Sequence, residues 1–264
     1  MMGDGGGRAA FSVTGDTVEI DGPDAELKQQ AVDLYAGFVK DQVESLLPAV
    51  QELTAAYAAG DDETAREQFP NVRAFYERIE PVAESFGDPD PAIDFREADV
   101  PEGEEWTGWH RIEKDLFPPT AAENGGTEYV PLTAEERSYY SDKLVADTQL
   151  LYDAVNDADY AVTIDAISNG AIGLLDEVAT GKITGEEDWW SGTDLWDFAA
   201  NVEGSKMAFS LVEDLAIAQG SDGEALAEEI TQGYGALEEA LAQHGSLAQG
   251  FVLYPELTDA DKKE

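Results

Sequence analysis

The chain has 264 residues, 57 acidic against 15 basic, and a formal charge of −42 at neutral pH. A surface that negative repels nucleic acid and anionic lipid, and it reads first as a solubility device that also draws in cations. There is no cysteine, which excludes disulfides, thiolate zinc sites, iron–sulfur clusters and cysteine nucleophiles, while 43% hydrophobic residues are enough to build a core.

Residues 1–10 form a glycine-rich leader without the apolar stretch of a signal peptide. "FSVTGDTVEIDGP" (11–23) alternates apolar and polar residues around a Gly-Asp turn, predicting a short hairpin. From Asp24 the period becomes helical. Leu27, Ala31, Leu34, Tyr35, Phe38, Val39, Val43, Leu46, Leu47 and Val50 recur at steps of three and four, with Pro48 expected to kink or divide the segment. "GDDETA" (60–65) starts a second helix. Its apolar stripe is Val72, Phe75, Ile79, Val82 and Phe86, and it stops at "FGDPDP". A loop over 87–103 leads to a short helix containing His110, closed by Pro118-Pro119. "TAEE" (133–136) is a capping box in which Thr133 caps and Glu136 reaches back. Helices are then predicted at about 133–157, 160–180, 193–219 and 222–244. The fold class is all-α: a helical bundle, read as a first bundle over about 24–118 and a second over about 133–264. "LTDADKKE" (257–264) has the N-cap and acidic first turn of a helix start; it reads either as a frayed tail or as the start of a last helix of the bundle that is missing, which would leave an apolar groove uncovered.

The candidate chemistry sits in two places. In "EWTGWHRIEKDLFPP" (104–118), His110 and Glu113 are about 60° apart on a helical wheel, beside the stripe of Trp109, Ile112 and Leu116. This H-x-x-E pair lacks the second histidine of H-E-x-x-H, so it is a weak zinc-protease signature. The other histidine, His244, stands at a helix end next to Gly245 and reads as a helix-terminal cation. In "YERIEPVAESFG" (76–87), Glu77, Glu80 and Glu84 fall at about 160°, 100° and 140° from Ile79 on the wheel. Carboxylates on one face repel unless a cation, a raised pKa, solvent or the preceding Arg73 relieves them. Asp94 or Glu97 lies in the connecting segment. A histidine with several carboxylates and no sulfur suits iron, zinc, copper or manganese, and the histidine argues against calcium.

"FYERIEPVAESFGDPDPAIDFREADVPEGEEWTGWHRIEKDLF" (75–117) closely resembles the imelysin-like domain of the EfeO/EfeM iron-uptake proteins. "GLLDEVATGKITGEED" (173–188) and "TDLWDFAANVEGSK" (193–206) resemble its later part. The resemblance implies two packed four-helix bundles, in the short form without a cupredoxin domain. It implies a non-enzymatic, extracytoplasmic protein, periplasmic or at the cell surface, that binds ferric or ferrous iron, with zinc or copper as alternatives. The implied partners are a membrane iron permease and a haem peroxidase. The metal ligands it implies are Glu77, Glu80, Asp94, His110 and Glu113, with Glu177 in "LLDEV", beside Asp176, as a further one. The family often has a histidine where this chain has Gly192. Two other readings stand beside it: an H-x-x-E metallopeptidase with Glu113 as base, and an acidic-polysaccharide (alginate-like) binding module, which the −42 charge disfavours.

Overall fold

The computed structural model describes residues 22, 24–87 and 89–263. The expected hairpin over 11–23, Gly22 apart, and the side chain of Glu84 lie outside the described residues. Eight α-helices carry the described chain: α1 Ala25–Ala59, α2 Asp62–Glu77, α3 Pro89–Asp94, α4 Trp109–Leu116, α5 Ala134–Asn156, α6 Ile164–Thr180, α7 Asp194–Ile217 and α8 Ser221–Ala242. The protein is all-α. The one sheet among the described residues is a two-residue antiparallel pair, β1 Gly245–Ser246 with β2 Gly250–Phe251.

α1 buries the stripe that its period predicts: Tyr35, Val39, Val43, Leu46, Val50, Leu53 and Tyr57 are fully enclosed. Each such side chain contributes about 1.5–3 kcal/mol of transfer free energy. Leu34, also in the expected stripe, is half exposed. Pro48 does not divide the helix. It sits on the exposed face, as does Glu44, whose carbonyl loses its amide partner there and can turn to water.

α5 runs along α1, held at its start by the reciprocal Thr133–Glu136 capping box. The main core is continuous across both halves of the sequence. It joins α1 and α2 to Trp109, Ile112 and Leu116 of α4, Leu144 and Leu151 of α5, Ile167 of α6 and Ala208 of α7. A smaller cluster pairs Leu195 and Phe198 with Tyr254.

The second expected helix is shorter than its stripe. α2 ends at Glu77, and Glu80–Phe86 continues as a 3-10 segment after a break at Ile79. Pro81 explains this, since it lacks an amide proton and disfavours helical geometry at the residue before it. Glu77 and Glu80 therefore do not share a helical face. The break packs closely against α7, where a β-carbon on Gly204 would meet the Arg78 carbonyl oxygen at 2.1 Å. At the other end of the chain, Thr258 and Asp261 exchange hydrogen bonds in the manner of a helix start.

Candidate metal centre

α2, α3, α4, α7 and the turns around Lys182 and Glu187–Thr193 converge on one buried polar centre. Its middle is Arg73 of α2, fully buried. Arg73 Nη2 donates to Glu77 Oε1 at 2.6 Å and Nη1 to Asp94 Oδ1 at 2.7 Å. The same guanidinium reaches Glu187 Oε1 at 3.3 Å, Asp197 Oδ2 at 3.2 Å and Asp188 Oδ1 at 3.6 Å.

His110 is held beside it by α4. Gly108, the N-cap of this helix, has φ of +85°, and a β-carbon there would lie 2.1 Å from the Ile93 carbonyl oxygen. Only glycine lets α4 begin so close to the end of α3. That approach places His110 Nε2 3.7 Å from Asp94 Oδ1. The other ring nitrogen, Nδ1, is 3.0 Å from Glu113 Oε2. A carboxylate oxygen accepts, so Nδ1 carries the proton and a neutral imidazole keeps its lone pair on Nε2. Nε2 is buried and has no hydrogen-bond partner.

Glu113 is itself fully committed. Its Oε1 accepts from the backbone amides of Trp190 and Ser191, at 2.9 and 2.8 Å, and from Ser191 Oγ at 3.0 Å. Ser191 Oγ contacts Thr193 Oγ1, which in turn hydrogen-bonds Asp188. The turn carrying Glu187 and Asp188 is thus tied to the helix carrying His110. Lys114 reinforces the tie by lying over the Trp190 and Trp106 rings.

On the far side, Lys182 Nζ lies among Glu80, Glu77, Glu187 and Asn201. Asn201 Nδ2 also donates to Glu77 and Glu80.

The centre has more negative than positive groups. Glu77, Glu80, Asp94, Glu113, Glu187, Asp188, Asp194 and Asp197 surround Arg73 and Lys182, with His110 inside and Arg96 at the rim. Burial, joined by the charges of Glu77 and Glu187, pushes Asp94 up to about 6 against the pull of Arg73 and His110. Burial and the Glu113 charge bring Asp188 up to about 6 despite Arg73. Burial and the neighbouring Asp188 raise Asp194 to about 7. Burial also holds Asp197 well above the carboxylate range. Glu77 and Glu80 form a split pair. Glu77 falls to about 2 because the charges of Lys182 and Arg73 overcome its burial, while burial keeps Glu80 raised. Burial and Arg73 disfavour protonation of His110, but the bond to Glu113 and the charges of Glu113 and Asp94 outweigh them and raise its pKa. A site in which protons are retained to offset surplus buried charge is one in which a cation can replace them.

Three groups have ligand atoms close enough together for one ion: Asp94, His110 and Glu187; His110, Glu113 and Asp188; Glu77, Glu187 and Asp197. Of the residues named from the sequence, Glu77, Glu80, Asp94, His110 and Glu113 come together in this centre. Glu177 is on the exposed side of α6, where its charge reaches Lys182 and Arg96 but it joins none of the ligand groups. His244 lies after α8, away from the centre, with its carbonyl accepting from Val252. Sequence reasoning missed Lys182, Glu187, Asp188, Asp197 and Asn201. A signal for part of this set was present: Asp194, Asp197, Asn201 and Ser205 step by three and four along α7, and all four are buried.

The imelysin family model matches residues 31–264. The chain belongs to the imelysin family. It is 35% identical over 256 residues to an EfeM/EfeO family lipoprotein of Staphylococcus aureus (strain USA300), covering 92% of this chain and 81% of the relative. It is 34% identical over 238 residues to one from Staphylococcus haemolyticus (strain JCSC1435), covering 89% and 77%. The match spans the whole centre, from α2 to α7.

Proposed function

We propose that this imelysin-family protein is a non-enzymatic metal binder of an iron-uptake system. In this reading it works outside the cytoplasm, captures iron as cargo and passes it to a membrane permease served by a haem peroxidase. The names of its relatives, EfeM/EfeO family lipoproteins, support the iron-uptake association and a location at the cell surface. No described helix is long and apolar enough to cross a membrane.

The observation that carries the metal reading is His110 Nε2. It is buried, without a hydrogen-bond partner, and faces Asp94 and Glu187 in a centre with surplus negative charge. We assign the ion to His110 Nε2, Asp94 and Glu187, with Asp188 and Glu77 within reach. One imidazole and several carboxylates suit iron, and zinc or copper would also find acceptable donors. Glu113 acts one step back, fixing the tautomer and direction of His110.

The same hydrogen bonds weigh against the peptidase reading. A general base needs an oxygen free to take a proton from water, and both oxygens of Glu113 are engaged.

Calorimetric titration with ferric, ferrous, zinc and cupric ions tests the proposal. One site is expected, with iron bound and the affinity lost in a His110→Ala/Glu77→Ala double variant. Unchanged binding in that variant would sink the assignment. Chelator-sensitive cleavage of an unstructured protein, abolished by Glu113→Ala, would establish the peptidase instead.

A further inference from the structure

Lys182 is the least expected group in the centre. It opens the 3-10 turn Lys182–Thr184 after α6, and only 1% of it is exposed. Its Nζ lies 2.8 and 3.0 Å from the two Glu80 oxygens, 3.2 Å from Glu187 Oε1, and 3.4 Å from both Glu77 Oε2 and Asn201 Oδ1.

An ammonium has three protons to donate. Five oxygens around one nitrogen exceed what directional hydrogen bonding requires. They surround a compact point charge much as carboxylate and amide oxygens surround a hard metal ion. The atoms of this half that could ligate a metal are all oxygens, while Asn201 Nδ2 and the Arg73 guanidinium donate to the same carboxylates. The half around His110 contains the nitrogen donor. Glu187 belongs to both, since its Oε1 touches Lys182 and it also groups with His110 and Asp94.

We propose that Lys182 is a built-in cation that occupies the all-oxygen half of the centre and thereby determines specificity. It limits the protein to one exchangeable ion, in the histidine half, and denies calcium and similar hard ions the cage they favour. The inference rests on the metal reading of the histidine half, and its test separates the two. Removing the ammonium leaves Glu77, Glu80, Glu187 and the Asn201 amide oxygen facing one another. Calcium takes six to eight oxygens at about 2.3–2.6 Å. A modest inward movement of these side chains, with water completing the shell, therefore converts the cage into a calcium site.

The experiment compares the full chain with Lys182→Met, after chelator treatment, using calcium, zinc and iron as probes in calorimetry and thermal melting. The wild type is expected to bind one zinc ion and no calcium up to about 1 mM, within the range of weak extracellular calcium sites. Lys182→Met is expected to gain one calcium site. Calcium at about 100 times its Kd should then raise the melting temperature by about 5–10 °C. Adding Glu80→Gln to Lys182→Met should weaken calcium at least about tenfold, by removing one ligand charge. Three results overturn the proposal: a folded Lys182→Met without calcium response, a Lys182→Met that stays unfolded in calcium, or a wild type that binds calcium as tightly as the variant. A wild type that binds neither zinc nor iron, beside a Lys182→Met that gains calcium, overturns the histidine-half assignment and supports the role of Lys182.

Discussion

His110 and Glu113 were legible as a pair because a three-residue step on a helix makes neighbours of them. Their division of labour was not, because it depends on Trp190 and Ser191, nearly eighty residues away in sequence. Glu113→Gln should keep the fold yet lower metal affinity about 10–100-fold, the usual effect of losing the partner that orients a ligating histidine. Titration calorimetry checks this, and an unchanged affinity would make Glu113 dispensable. Arg73 was legible only as a neighbour of Glu77, whereas it is the hub of five carboxylates from four segments. Replacing it by Met leaves Asp188 and Asp197 without their buried partner and the other three with less compensation, a change of about 3–5 kcal/mol against the metal-free fold. Denaturant unfolding with and without metal should show that loss partly restored by the ion. A variant equally weak in both conditions would place no cation near Arg73.

At the level of elements, the helical periods located α1 and α5–α8; α1, α5, α6 and α7 bury apolar side chains along their length, whereas α8 encloses only Gly223, Ala227 and Tyr234 and leaves Leu226 and Leu237 exposed. The period through Ile79 misled. Val82 and Phe86 are buried as the stripe requires, but a 3-10 segment buries them rather than a continuation of α2. Periodicity reports which side chains are covered, and Pro81 decides how the backbone gets there. The short element α3 escaped notice because six residues carry too little pattern. Its end matters, since Asp94 reaches His110 only through the glycine contact at the start of α4. Gly108→Ala forces a positive φ on a residue with a β-carbon and drives it into the Ile93 carbonyl. The expected cost is upwards of about 1 kcal/mol. Metal affinity should fall as well, because His110 and Asp94 move apart. A loss of stability with affinity intact, measured by melting and titration, would mean that this contact does not set the ligand spacing.

Over the whole molecule, the −42 charge was plain from composition, but the enclosure of a small share of its carboxylates in one buried centre was not. Solvated faces are the usual place for acidic residues, and although Asp194 and Asp197 share a face of α7, no local pattern announces that Asp94 and Asp188 join them. Their enclosure sets a pH dependence with a definite sign. Asp94 and Asp188 are raised from 3.8 to about 6, and Asp194 to about 7. Stability linked to their protonated forms is fully present below about 3.8 and is lost as pH rises through 6–7. His110, also raised, acts in the same direction. Glu77 opposes them only at the acid end, since its contribution is present above 4.5 and is lost as pH falls towards 2. The metal-free protein should therefore melt higher at pH 5.5 than at pH 7.5, by about 5 °C or more. Asp94→Asn/Asp188→Asn should flatten that slope. Metal should bind more weakly at the lower pH, because protons on the same groups must leave first. Scanning calorimetry across this range checks both statements, and a metal-free form that is more stable at pH 7.5 would contradict the assigned shifts.

Arg73 and Asp197 are hydrogen-bonded although 124 residues separate them in sequence. A chain emerging from the ribosome owns no such centre until α7 has been made and packed against α2. Contacts that span so much chain form slowly, after the local helices. In the proposed role, ion capture therefore belongs to the finished molecule. The loaded form should also outlast the empty one when a protease samples both, because the ion binds only the state in which distant ends of the message have met.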